Sequence, residues 1–302
     1  MSAVVVLLVG LAAGIVFRRV GKTGADAQNA VTSWVLNIAL PALALRVMHE
    51  VHFPGSIVAV IAVPYLLFVV SFAIYLALAR PLRLGREALC ALVATTAVAN
   101  TSFVGIPMVT AFFGAGDVPI AVLLDQLGSF VLLNTVVTAL VAFAAADGGR
   151  VAAGEIARRI LTTPALLALA AGLALRPVGY PDWLTEVLTQ LGDTLTPLAL
   201  FAIGLQLEFG AARQWRRELV VGLVVKLLVA PALIIAGYAL FGAFDDHALR
   251  VALFEATMPP MVAAALMAAR HDLATPLPSM LVGVGVPLSI LTCAGWSFLL
   301  HL

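Results

Sequence analysis

The sequence predicts an all-helical integral membrane protein of ten transmembrane helices, arranged as two five-helix halves. Three observations lead there: an apolar composition, a one-sided distribution of basic residues, and a matched pair of interrupted spans. Of the 302 residues, 63% are hydrophobic and 11% charged, with a mean hydropathy of +1.10. Soluble domains carry about a quarter charged residues, so this chain is built for lipid. The net charge of +1 and the scattered basic residues give no sign of a nucleic-acid partner. Cys90 and Cys293 each fall in an apolar run with no CxxC, so neither a disulfide framework nor a zinc site is expected.

Ten apolar runs follow one another, at about 2–17, 27–48, 55–79, 87–113, 118–146, 154–175, 183–207, 216–242, 247–270 and 275–300. The first run has no basic residue before it, and Arg18 and Arg19 follow it, so it reads as a span rather than a signal peptide. It is short against the roughly 20 residues a helix needs to cross a bilayer.

Charge placement tests the number of spans independently of hydropathy, because cytoplasmic loops hold the excess of Lys and Arg. Alternate connections carry Arg18, Arg19 and Lys22; Arg80, Arg83 and Arg86; Arg150, Arg158 and Arg159; Arg213, Arg216 and Arg217; and Arg270. Those thirteen face only Arg176 and Arg250 in the opposite connections, while Arg46 and Lys226 lie within spans. Adding or removing one span would scramble that alternation. Both termini are therefore expected outside, with the 147–155 connection cytoplasmic.

That connection divides the chain into a first repeat at 1–146 and a second at 151–302. Five spans per half is odd, so duplicated halves must lie in opposite orientations, the inverted-repeat plan of many secondary transporters. Prolines occupy corresponding places: Pro41 and Pro197 in the second span of each half, and polar, proline-containing elements in the fourth. In span four the element is Asn100-Thr101-Ser102-Phe103-Val104-Gly105-Ile106-Pro107, and in span nine Glu255-Ala256-Thr257-Met258-Pro259-Pro260. Gly105 and Pro107 are expected to break span four, and Pro259 and Pro260 to break span nine. Such a break persists in lipid only when buried in protein or facing water, and paired breaks point to a midplane site.

The side chains at these breaks suit a carboxylate. Asn100 brings amide donors, Thr101 and Ser102 hydroxyls, and a half-helix starting after the break turns its positive end to an anion. The plainer alternative is that small polar residues only help helices pack. Glu255 would cost about 2.5–3.5 kcal/mol as an unpartnered charge at mid-depth, so it is expected to bind a cation, carry a proton or pair with Lys226. Lys226, halfway along span eight, needs an anion, and Glu255 and Asp125 are the candidates. Asn37 and Asn134 are weaker candidates for the same cavity, equally suited to interhelical hydrogen bonds. The histidines all fall at span ends. No HExxH, no Walker loop and no serine with a buried histidine partner is present, so no enzyme is expected.

Asn100-Thr101 followed by Gly105-Ile106-Pro107-Met108 and closed by Phe113-Gly114 resembles the fourth-span motif of the auxin efflux carrier family. Ala256-Thr257-Met258-Pro259, Pro276 to Leu291, Gln126 and Phe201-Ala202-Ile203-Gly204-Leu205 extend the similarity over nearly the whole chain. The resemblance implies the inverted 5+5 fold of the bile acid/arsenite/riboflavin transporter superfamily, in which broken helices 4 and 9 cross. It implies a scaffold of spans 1, 2, 6 and 7, a mobile domain of spans 3–5 and 8–10, and a homodimer joined through the scaffold. By that resemblance Asn100 corresponds to the family's substrate-contacting asparagine, with Pro107 and Pro259 at or beside the crossing. Together with the reading of the residues themselves, the expected substrate site is Asn100, Thr101, Ser102, Gly105, Gln126 and Met258, with Pro260 also at the crossing. Two departures stand out: the long cytoplasmic loop of many plant carriers is missing, and Glu255 stands where those carriers lack an acidic residue.

The function expected is transport of a small organic anion, an auxin-like acid or a dicarboxylate, across a bacterial cytoplasmic membrane by an elevator-like mechanism. No cofactor is expected beyond a coupling ion, Na+ near Glu255 or H+, with Lys226 and Asp125 as counter-charges. A cation/proton antiporter of the same fold is the first alternative, and a membrane sensor without flux the second.

Overall fold

The computed structural model describes residues 2–21, 25–51, 53–145, 153–207, 213–240, 242 and 245–301, and the described residues are all helical or connecting. The 146–152 connection between the expected halves lies outside the described residues. In chain order the helices are α1 (Ser2–Arg19), α2 (Asp26–Glu50), α3 (Ile57–Ala79), α4 (Arg86–Thr96), α5 (Thr101–Phe112) and α6 (Ala115–Ala144). There follow α7 (Ala153–Leu161), α8 (Pro164–Ala174), α9 (Asp182–Gln206), α10 (Arg213–Ala239), α11 (His247–Ala256), α12 (Val262–Arg270) and α13 (Leu277–His301). Among the described residues, six of these are long and apolar enough to cross a membrane: α2, α3, α6, α9, α10 and α13. The expected fourth, sixth and ninth spans are instead pairs of shorter helices.

Packing sorts the helices into two groups. α1 lies along α9, and α2 along α8 and α9, while α3 packs on α4, α6, α10 and α11. The close approach of α1 and α9 depends on glycines that face each other. A methyl group at Gly14 would sit 2.3 Å from the Phe201 carbonyl oxygen, and one at Gly204 would sit 2.4 Å from that of Leu11. In lipid, where apolar burial alone does not drive association, such small-residue contacts let backbones meet. The groups touch mainly through α5 and the start of α6, which lie against α1, α2 and α9.

Among the described residues, five π-helical turns interrupt the helices, at Val35–Ala39, Thr101–Gly105, Asp125–Ser129, Leu133–Val137 and Val225–Val229. Three of them are followed two residues later by a proline, Pro41, Pro107 and Pro231. Proline cannot donate to the carbonyl four residues back, and a widened turn before it relieves the clash with that carbonyl. The span-four break accordingly lies elsewhere than expected. The chain leaves helical geometry at residues 97–100, and Gly105 and Pro107 lie inside the helix that resumes. The span-nine break is where the prolines put it, at 257–261.

Long side chains reach across to carbonyls in or near these turns. Tyr65 donates to the Leu127 carbonyl at 2.5 Å, and Trp296 to that of Leu227 at 2.9 Å. The buried Tyr75 hydroxyl lies 2.5 Å from Thr96 Oγ1 and 3.4 Å from the Gly222 carbonyl oxygen. Buried polar groups without such partners would each cost about 1–3 kcal/mol. At the start of α11, the Asp246 carboxylate accepts from the Ala248 and Leu249 amides, capping the helix. Partial burial works to raise its pKa, but the Ser56 hydroxyl and those two amides outweigh it and hold it below the ordinary carboxylate value.

Candidate functional site

The two broken spans meet back to back. The Asn100 amide donates to the Pro259 carbonyl at 3.1 Å, the Met261 amide donates to the Thr95 carbonyl at 2.9 Å, and Ala99 and Pro260 form an antiparallel bridge. Each extended stretch thus satisfies backbone groups freed by the other, as lipid requires. Pro259 and Pro260 have no amide to satisfy, so proline suits this pairing. From the junction α5 and α12 depart with their positive ends facing it.

Asn100 is 2% exposed, and its Nδ2 has no hydrogen-bond partner among the described residues. A buried amide donor left open needs an acceptor. Met258, Pro259 and Pro260 are all buried beside it. Asn100 therefore has a donor open to a ligand. The Thr101 and Ser102 hydroxyls are already engaged. Both hydroxyls donate to Asp125 Oδ1 at 2.5 Å, and Gln126 Nε2 donates to Asp125 Oδ2 at 2.7 Å. The donors expected to face a substrate are turned to the Asp125 carboxylate, which is 1% exposed. The π turn over Asp125–Ser129 sets neighbouring side chains at unusual angles, which helix periodicity does not reveal.

Glu255 is 2% exposed, and neither carboxylate oxygen has a hydrogen-bond partner among the described residues. It lies directly against Gly105, where a methyl group would come within 2.2 Å of Glu255 Oε2. Gly105 is thus required by close approach rather than by a helix break, and its missing side chain is the space the carboxylate uses. Beside Glu255 is a cavity of about 10 Å³, room for the centre of one water-sized sphere, lined also by Pro64, Ala99, Thr101 and Ser129. The Ser129 hydroxyl is buried and has no partner among the described residues.

Lys226 is fully buried in the π turn of α10, and its Nζ has no hydrogen-bond partner among the described residues. It makes no ion pair with Asp125 or Glu255 within 4.0 Å, although it interacts electrostatically with Glu255 across the site. Asp125 and Glu255 also act on each other. The site therefore gathers two carboxylates and one amine without a direct pair among them. Asn134 and Asn37 stand apart. Asn134 Nδ2 donates to the Phe130 carbonyl and Asn37 Nδ2 to the Ser33 carbonyl, each four residues back in its own helix. His49 and His247 lie at helix ends, His247 Nε2 being 2.8 Å from Asp117 Oδ1.

The model for a family described as membrane transport proteins matches this sequence over residues 1–148 and 149–297. The chain belongs to that family, the auxin efflux carriers. Two relatives span nearly the same length. A protein of Methanothermobacter thermautotrophicus named "Uncharacterized transporter" is 25% identical over 303 residues, covering 99% of this chain and 98% of that protein. One of Rhizobium meliloti named "Putative malonate transporter" is 26% identical over 290 residues, covering 91% of this chain and 88% of that protein. Membership in this family makes the chain a membrane transporter.

Ser129, Tyr65, Tyr75 and Trp296 escape sequence reasoning. Ser129 alone carried a signal, lying four residues after Asp125 and hence near it on a helix surface.

Proposed function

We propose that this auxin efflux carrier family member is a secondary transporter of a small organic anion that works by alternating access, with the crossing of the broken spans as its substrate site. The observation that carries this reading is the unpartnered Asn100 amide, buried where two half-helices turn their positive ends. A carboxylate satisfies that donor and both dipoles at once. The relative named for malonate makes a three-carbon dicarboxylate the first probe. Movement is elevator-like: the group containing the crossing slides against α1, α2, α8 and α9, which form the scaffold and the homodimer contact. The halves form an inverted repeat in the cytoplasmic membrane, with both termini outside.

Coupling falls to Glu255. Its two open oxygens, the open Ser129 hydroxyl and Thr101 surround a cavity of the size of one sodium ion or one water, so it takes up Na+ or H+ as Lys226 supplies counter-charge. The electrostatic contact between Asp125 and Glu255 also favours a second reading, a cation/proton antiporter. Against it, Asp125 already accepts three hydrogen bonds, leaving Glu255 as the single carboxylate open to an ion.

A thermal-shift screen of the purified protein tests the anion reading, using malonate and indole-3-acetate with and without sodium at two pH values. A ligand at 100 times its Kd stabilises the protein by about 2.7 kcal/mol, a shift of a few degrees. The expected result is stabilisation by at least one of these acids that disappears in Asn100→Ala. Stabilisation by sodium alone, with no response to either acid, would favour the antiporter.

A further inference from the structure

A second cavity, of about 410 Å³, opens between the two helix groups and is lined by Arg46, Ile106, Thr110, Val118, Asp193 and Thr196 among others. Two other large cavities among the described residues are lined almost wholly by apolar side chains, such as Phe68, Phe72 and Val136 in one and Leu66, Val70 and Leu233 in the other. Arg46 and Asp193 come from α2 and α9, on one side of the cleft. Ile106, Thr110 and Val118 come from α5 and α6 on the other. Ile106 follows Gly105 directly, so the cavity wall begins one residue from the glycine that holds Glu255.

Arg46 is held but not saturated. Its Nη1 donates to Thr189 Oγ1 at 3.0 Å, and its Nη2 lies 3.9 Å from Asp193 Oδ1, too far for a hydrogen bond. The Arg46 side chain is 25% exposed and that of Asp193 67%. A guanidinium has five donors in a fixed fork suited to a carboxylate. Thr189 orients the fork, and Asp193 is a loose, solvated counter-ion that an incoming carboxylate can replace.

We propose that Arg46 is an anion-recognition residue of this cleft, binding a carboxylate of the organic acid in exchange for Asp193 before the acid reaches the crossing. This rests on the organic-anion reading above and adds to it a binding site away from the broken spans. Since Arg46 belongs to the helix group that lacks the crossing, the cation stays behind when the crossing moves, and the carboxylate must be released from it. Arg46 therefore sets which acids enter and how fast they leave.

The test uses Thr196→Cys in detergent-purified protein, since the native Cys90 and Cys293 are buried. Thiol modification is timed with a sulfonate-bearing methanethiosulfonate and with its trimethylammonium counterpart, with and without malonate. The anionic reagent is expected to react faster than the cationic one, and malonate to slow it. Adding Arg46→Gln should reverse the reagent preference and raise the half-protective malonate concentration about 10-fold or more. Adding Asp193→Asn, which keeps Arg46, should lower that concentration. Equal protection by malonate with and without Arg46, or no protection in the Thr196→Cys parent, overturns the proposal. Malonate flux that persists in Asn100→Ala alongside Arg46-dependent protection would instead sink the crossing as the substrate site and leave this cleft standing.

Discussion

Glu255→Gln should give a protein that folds and melts no lower than the parent, yet transports at least about 100-fold more slowly and without dependence on sodium or pH. The amide keeps the shape of the side chain against Gly105 and removes a charge that has no hydrogen-bond partner among the described residues. An unpartnered charge at mid-depth costs about 3 kcal/mol, equivalent to roughly 100-fold in an equilibrium, so its neutralisation by an ion is the energy available for coupling. Stability and flux should therefore separate. Glu255→Ala is the contrast, since it removes the charge too but leaves a cavity against Gly105 where the amide keeps the shape. Truncating a buried side chain of that size to Ala costs about 2–5 kcal/mol, so that variant should melt well below the parent. Melting curves and proteoliposome flux for both variants check this. A Glu255→Gln protein that keeps its ion dependence would place the coupling group elsewhere.

Gly105→Ala should cost about 1–3 kcal/mol of stability and most of the flux, because one methyl group cannot share space with the Glu255 carboxylate. Either the carboxylate leaves the cavity lined by Thr101 and Ser129 or α5 shifts on the Asn100 end of the crossing. Adding Glu255→Asp, which withdraws the carboxylate by one methylene, should recover part of both losses. A double-mutant cycle on melting temperature and flux measures that recovery, with coupling of about 0.5–3 kcal/mol expected for residues in contact. Strict additivity would mean that Gly105 matters for backbone freedom alone.

Much of the architecture is legible in the sequence because lipid makes strong demands on it. Spans must be apolar, loops carry charge bias, and a proline pair such as Pro259-Pro260 has few places to sit. Asn100 and Glu255 stand out for the same reason, since polar groups in apolar runs need a purpose. What the sequence hides is set by tertiary contact. Gly105 reads as a helix breaker, but its conformation is helical and its role is to admit Glu255 from another span. Pro107 reads likewise, yet the preceding π turn absorbs it and the chain breaks at 97–100 instead. Thr101, Ser102 and Gln126 read as substrate donors because nothing local shows that Asp125, over twenty residues from the first two, draws all three. Arg46 is visible as a cation in a span, but its exposure to a cleft depends on how α2, α5 and α9 are placed.

The most direct test of the central claim is malonate and indole-3-acetate flux in proteoliposomes carrying the parent protein or Asn100→Ala, with melting temperature and monodispersity as the check on folding. The account predicts flux of at least one acid by the parent and its loss by about 10-fold or more in a folded Asn100→Ala, since a hydrogen bond to a charged group is worth about 1.5–3 kcal/mol. Undiminished flux of that acid in folded Asn100→Ala would contradict the assignment of the crossing as the substrate site.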